Sequence, residues 1–170
     1  MPRPVTGLLD ANVLYSNALR NLLLQLALND AFEARWTDRI EDEWLRNLED
    51  RTRDRVSQRT LPLIRKHFPD AIICDFDADQ AIGSTDPKAR HVAGAAVAVQ
   101  ACALITNNLN DFDASELAKL GVRVLSPDVF SLSYSTKHRA LSKPQHERRR
   151  PTLRRACLPG TLPTSSSERG

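Results

Sequence analysis

The chain has 170 residues and a mass of 19.0 kDa, enough for one ordinary domain with a buried core. Hydrophobic residues make up 41% and charged residues 26%, a balance that excludes a chain too polar to fold. The net charge of +3 hides a division: residues 131–170 carry nine Lys/Arg against Glu147 and Glu168, net +7, and residues 1–130 carry 15 basic against 19 acidic groups, net −4. The longest apolar-leaning run, Val92 to Thr106, contains Gln100 and is shorter than the ~20 residues of a bilayer span. Met1-Pro2-Arg3-Pro4 has no signal-peptide core. Cys74, Cys102 and Cys157 are odd in number and far apart, which fits neither a disulfide framework nor a zinc site and points to a reducing cytoplasm.

Strands and helices are expected to alternate. Val5-Thr6-Gly7-Leu8-Leu9 reads as a buried strand ending at Asp10. Ala18 to Leu28 places Leu19, Leu22, Leu23 and Leu26 at helical spacing. Thr37 or Asp38 can cap a helix in which Ile40, Trp44, Leu45 and Leu48 form an apolar stripe. Glu43 then lies along the edge of that stripe, with Glu41 and Asp42 facing outward. A charged helix follows from Arg53 to Phe68, kinked or divided at Pro62. Ala71 to Cys74 is a strand candidate. Asp86-Pro87 opens a helix rich in alanine, in which Gly94 is out of place as a poor helix former. Ala103 to Thr106 and Val122 to Leu125 are further strands, separated by a short helix, Ala114 to Leu120, that Gly121 stops.

This order predicts an α/β protein with a mostly parallel sheet and helices on both faces, a three-layer α/β/α body over residues 1–130. Residues 131–170 hold four of the ten prolines and only nine hydrophobic residues, and read as a basic, disordered tail.

Parallel sheets bind ligands beyond the carboxyl ends of their strands. Asp10 follows the first strand directly. Asp111 follows Ala103–Thr106 across Asn107-Asn108-Leu109-Asn110. A carboxylate beside a buried strand is expensive unless donors or a cation meet it. Each acid also has a plain structural reading: Asp10 and Asp86 as helix caps, Asp111 as a turn residue, Glu43 as a solvated helix position. Gathered together, such acids would suit Mg²⁺ or Mn²⁺ and phosphodiester hydrolysis. Spacing alone does not gather them. His91 reads as a packed structural histidine, Trp36 and Trp44 as core, and the arginines from Arg46 to Arg65 as a salt-bridged face.

Four blocks taken together resemble the PIN domain family. They are Leu8-Leu9-Asp10-Ala11-Asn12-Val13-Leu14-Tyr15-Ser16, Trp36 to Leu48, Asp86-Pro87-Lys88-Ala89-Arg90-His91-Val92-Ala93-Gly94, and Ile105-Thr106-Asn107-Asn108-Leu109-Asn110-Asp111-Phe112. The resemblance covers about residues 5–130. It implies a metal-dependent ribonuclease using Mg²⁺ or Mn²⁺, of the kind that serves as the toxin of VapC-type toxin–antitoxin pairs. It implies catalytic roles for Asp10, Glu43 and Asp111, with Asp10 and Asp111 on the metal and Asn12, Thr106 and Asn108 supporting them; Asp86, three residues before the family's usual ligand position, is expected to join them as a catalytic, metal-binding acid, directly or through water. The implied partners are an RNA substrate, a cognate antitoxin and a second copy of the chain, in the cytoplasm and away from membranes. The third block departs from the family pattern Asp-Pro-x-Asp-Arg-His: Ala89 stands where the second Asp is expected. That substitution opens an alternative, a catalytically impaired PIN fold that binds RNA or an antitoxin. A response-regulator-like domain would want an acidic pair before its phosphoacceptor strand and a late lysine, an order this chain lacks.

Overall fold

The computed structural model describes residues 5–139, with the side chains of 134–139 left aside. Of the tail expected over residues 131–170, residues 131–139 continue a helix that begins at Pro127, and the rest lies outside the described residues.

Five short strands form one parallel sheet: β1 (Thr6–Leu9), β2 (Glu33–Thr37), β3 (Ile72–Ile73), β4 (Ala103–Ile105) and β5 (Arg123–Leu125), in the spatial order β3-β2-β1-β4-β5. Gly7 pairs with both Ala34 and Ala103, and Leu9 with Ile105, so β1 is central. Leu8, Leu9, Leu104 and Ile105 are fully buried, as expected for strands covered on both faces. Gly7 makes room for this packing: a Cβ there would meet the Phe32 ring at 3.0 Å.

The helices are α1 (Ala11–Tyr15), α2 (Asn17–Leu28), α3 (Asp38–Arg46), α4 (Asp50–Arg55), α5 (Leu61–His67), α6 (Arg90–Ala98), α7 (Ala114–Lys119) and α8 (Pro127–Arg139). The chain steps one way from β1 to β3, then crosses back to β4 and β5. With the right-handed crossovers that are the rule for parallel strands, this order puts the early helices and α6–α7 on opposite faces, consistent with the three-layer arrangement expected. Helix α8 returns to pack on α2 and β4. Its Phe130 meets Phe32 edge-on, with ring centroids 4.8 Å apart.

Several local expectations need correction. Strand β2 is absent from the sequence reading because Glu33 and Arg35 interrupt its apolar character; Ala34 and Trp36 are its buried alternates. The division at Pro62 takes the form of a π-helical turn, Val56–Thr60, between α4 and α5. Leu61 N–H bonds to the Val56 carbonyl, five residues back, ahead of a proline that has no N–H to give. Glu41 does not face outward. It is buried, accepts from Trp36 Nε1 at 3.3 Å and pairs with Arg65. Pro87 does not begin a helix: residues 87–89 form a turn, and α6 starts at Arg90. No helix among the described residues is long and apolar enough to cross a membrane.

Gly94 has a direct structural cause. A Cβ at this position would lie 2.2 Å from the Asp77 carbonyl oxygen, where only a hydrogen fits. The main chain between β3 and α6 lies against the helix at this point.

Candidate active site at the carboxyl end of the sheet

The strand order reverses between β1 and β4, since the chain leaves β1 toward β2 and later crosses to β4. The crevice beyond their carboxyl ends is where such a sheet has room for a ligand. A cavity of about 440 Å³ opens there. Its wall includes Asp10, Asn12 and Tyr15 from the end of β1 and α1, and Glu43 and Asn47 from α3 and its C-terminus. Lys88, Ala89 and His91 at the start of α6 and Asn108 and Asp111 after β4 complete it.

Asp10 is the most firmly placed. Its N–H continues the strand ladder to the Ile105 carbonyl at 3.1 Å, and its side chain caps α1. One carboxylate oxygen, Oδ1, accepts from Ala11 N–H at 2.7 Å. Oδ2 accepts from Thr106 Oγ1 at 2.7 Å and Asn12 Nδ2 at 2.8 Å. The residue therefore caps a helix and also lines the cavity. Burial raises its pKa, partly offset by the Thr106 and Ala11 hydrogen bonds, with Glu43 nearby adding to the rise.

Thr106 and Asn12 act as a pair of braces. Thr106 is fully buried, and its Oγ1 also accepts from Asn12 Nδ2 and from Asn108 N–H, each at 3.0 Å. Asn12 Oδ1 accepts from Asn107 N–H at 3.1 Å. These bonds tie the loop after β4 to the loop after β1, and so set Asp111 and Asp10 on one cavity.

Glu43 reaches the cavity from α3, whose start is capped by Thr37 Oγ1 accepting from Ile40 N–H at 3.1 Å. Glu43 Oε1 receives Arg39 Nε at 3.3 Å and His91 Nε2 at 3.1 Å. His91 is 2% exposed. Burial first, then the Arg39 charge, lower its pKa to about 4, against a smaller opposing pull from Asp10. The ring is neutral at pH 7, so Nε2 carries the proton donated to Glu43. Sequence reasoning left His91 as a packing residue; it is buried, and it also holds a cavity carboxylate. Tyr15, Asn47 and Lys88 were missed as cavity residues.

Asp86 departs from expectation. It is exposed and lies off the cavity wall. Its Oδ1 accepts from Lys88 N–H at 2.8 Å, the bond of a turn onto itself. Its own N–H donates to the Asp111 carbonyl at 2.8 Å, so the backbone is close to the site while the carboxylate is not part of it. Ala89, by contrast, is buried on the wall. The position that faces the cavity is the one without an acid.

The arrangement brings together Asp10, Glu43 and Asp111 and leaves Asp86 out. Among the described residues no three His, Cys, Asp or Glu side chains converge as a preformed metal cage. The donor chemistry still suits a hard divalent cation. Asp10 Oδ1, with one N–H to accept, keeps a lone pair, and the lining is oxygen-rich. Mg²⁺ takes one or two carboxylates and completes its shell with water, so a loose set of acids around an open cavity fits it better than a cage would.

A switch-point crevice lined by carboxylates favours cations. A PIN domain profile matches residues 6–110, and the chain belongs to the PIN domain family. PIN domains are generally nucleases and commonly depend on divalent metal ions. No curated protein and no solved structure matches the chain.

Proposed function

We propose that this protein is a metal-dependent ribonuclease that hydrolyses RNA phosphodiesters with Mg²⁺ or Mn²⁺. The observation that carries the reading is Asp10, a buried carboxylate held by Thr106, Asn12 and Ala11 on the wall of the switch-point cavity. Asp10 and Asp111 would hold the ion, with Glu43 on the facing wall. When bound, such an ion supplies a water of lowered pKa and offsets charge building on the phosphate. Thr106 and Asn12 keep Asp10 from turning toward solvent. His91 and Arg39 hold Glu43 Oε1, and Glu43 would serve as an acceptor for a water proton.

The resemblance to VapC-type toxins supports a role as the toxin of a type II toxin–antitoxin pair in the cytoplasm, with a cognate antitoxin and a second copy of the chain as protein partners. A small adjacent reading frame encoding a DNA-binding head and a helical tail would support that role.

A specific observation favours a second reading, an impaired nuclease that binds RNA or an antitoxin: Ala89 occupies the cavity wall where the family pattern has Asp, and Asp86 does not turn in to replace it. Single-turnover cleavage of a labelled RNA in Mn²⁺ by the unmodified protein, Ala89→Asp and Asp10→Asn decides between the two. Cleavage by the unmodified protein, lost in Asp10→Asn, supports the nuclease. Cleavage by neither the unmodified protein nor Ala89→Asp supports the binding module.

A further inference from the structure

Among the Phe, Trp and Tyr side chains described, Tyr15 alone is exposed; Trp36, Trp44, Phe32, Phe112 and Phe130 are buried, and Phe68 and Phe76 partly so. That one ring, 48% exposed, stands on the wall of the cavity that also holds Asp10 and Asp111. Val13 and Leu14 anchor α1 in the core, and about half of the Tyr15 side chain is left to the cavity and solvent. Around it are polar groups with unspent capacity. Asn12 is fully committed to Asp10, Thr106 and Asn107. Asn47, exposed at the end of α3, has no side-chain hydrogen bond within the described residues, and the exposed Lys88 has no ion pair there.

We infer that Tyr15 is the stacking platform of a nucleotide subsite, on which one unpaired base of a single-stranded RNA lies while Lys88 meets a flanking phosphate and the Asn47 amide meets the base edge. This deepens the ribonuclease reading and rests on it. A ring, an amide and an ammonium around one cavity match the parts of a nucleotide: a π-face, a hydrogen-bonding edge and a phosphate. The volume, about 440 Å³, lies in the range of pockets for small ligands. A base still stacked in a duplex cannot lay its face on Tyr15, so the subsite selects single strands. Stacking is the same before and during the reaction, and its energy appears in binding rather than in the chemical step.

The test uses the full chain and a fluorescent single-stranded RNA of about 12 nucleotides. Binding is measured in EDTA and cleavage in Mn²⁺, for the unmodified protein, Tyr15→Phe, Tyr15→Ala and Lys88→Gln. Tyr15→Ala should weaken binding and raise KM about tenfold with kcat nearly unchanged, and Tyr15→Phe should stay within about twofold of the unmodified protein. Lys88→Gln should flatten the salt dependence of binding. An unlabelled duplex should compete poorly. If the protein cleaves RNA while Tyr15→Ala keeps the original Kd and KM, the subsite is wrong and the nuclease reading stands. Loss in Tyr15→Phe equal to that in Tyr15→Ala, or equal competition by duplex, also overturns it. If the unmodified protein neither binds nor cleaves RNA, the subsite falls together with the reading it rests on.

Discussion

Asp10 and Asp86 each sit at a turn near the same cavity, yet only one belongs to it. Asp10 is gripped by donors from a neighbouring strand end and its own helix, so that its oxygens are fixed in place. Asp86 accepts from an N–H two residues on and otherwise meets solvent. A carboxylate held from another part of the chain has been placed by the fold; one held by its own turn serves the turn. The cap and helix that follow β1 and the turn before α6 therefore contribute differently to the site, and the second has an alanine on the cavity wall.

The sharpest way to break this contrast is to neutralise the gripped acid. Asp10→Asn should lower RNA cleavage by at least ~10²-fold, read in single turnovers with Mn²⁺, since small misplacements of a site already cost that much. Restoring an acid on the other side, Ala89→Asp, should raise cleavage and Mn²⁺ affinity by ~10-fold or more; equal activity in the unmodified protein would mean the site needs no acid there. Gly94→Ala probes the loop against α6. Helix propensity alone favours alanine by ~1 kcal/mol, but the new methyl would strike the Asp77 carbonyl, and a net loss of ~1–3 kcal/mol in urea unfolding is expected. Asp86→Asn should change cleavage by less than about threefold, because an amide oxygen can accept from Lys88 N–H as well.

The smallest effect is a pH dependence at the start of α7. Asp113 accepts from Ser84 N–H, Ser115 Oγ, Glu116 N–H and Ser84 Oγ, which hold its carboxyl well below the usual carboxylate range. A carboxyl depressed on folding adds stability that is complete above its unfolded pKa of ~3.9 and fades as pH falls toward its folded value. The stability gap between the unmodified protein and Asp113→Asn should therefore be widest near neutrality and close below about pH 4 in urea titrations.

Much of this was legible in the chain. Buried runs such as Leu8-Leu9 and Ala103-Leu104-Ile105 announced the parallel strands, and the acid after each strand marked the carboxyl end. What stayed hidden depended on partners far away in sequence. Glu41 is inward because Trp36 and Arg65 meet it, and no helical period reports that. Gly94 looked like a flaw until the Asp77 carbonyl appeared beside it. Asp86 looked available three residues before Ala89, but a turn in place of a first helical turn sends its carboxylate back on itself. His91 read as packing because an alanine-rich helix gives no hint of the Glu43 on α3.

The bond from Thr106 to Asp10 joins residues 96 apart in the sequence. During synthesis Asp10 leaves the ribosome long before its brace exists. At ~5–20 residues per second, Thr106 is added about 5 to 20 s later. Until β4 has joined β1, the first carboxylate has no fixed direction and Asp111 has not been made. The site therefore stays incomplete for most of the chain's own translation, because the strand that completes it lies in the last third of the folded body.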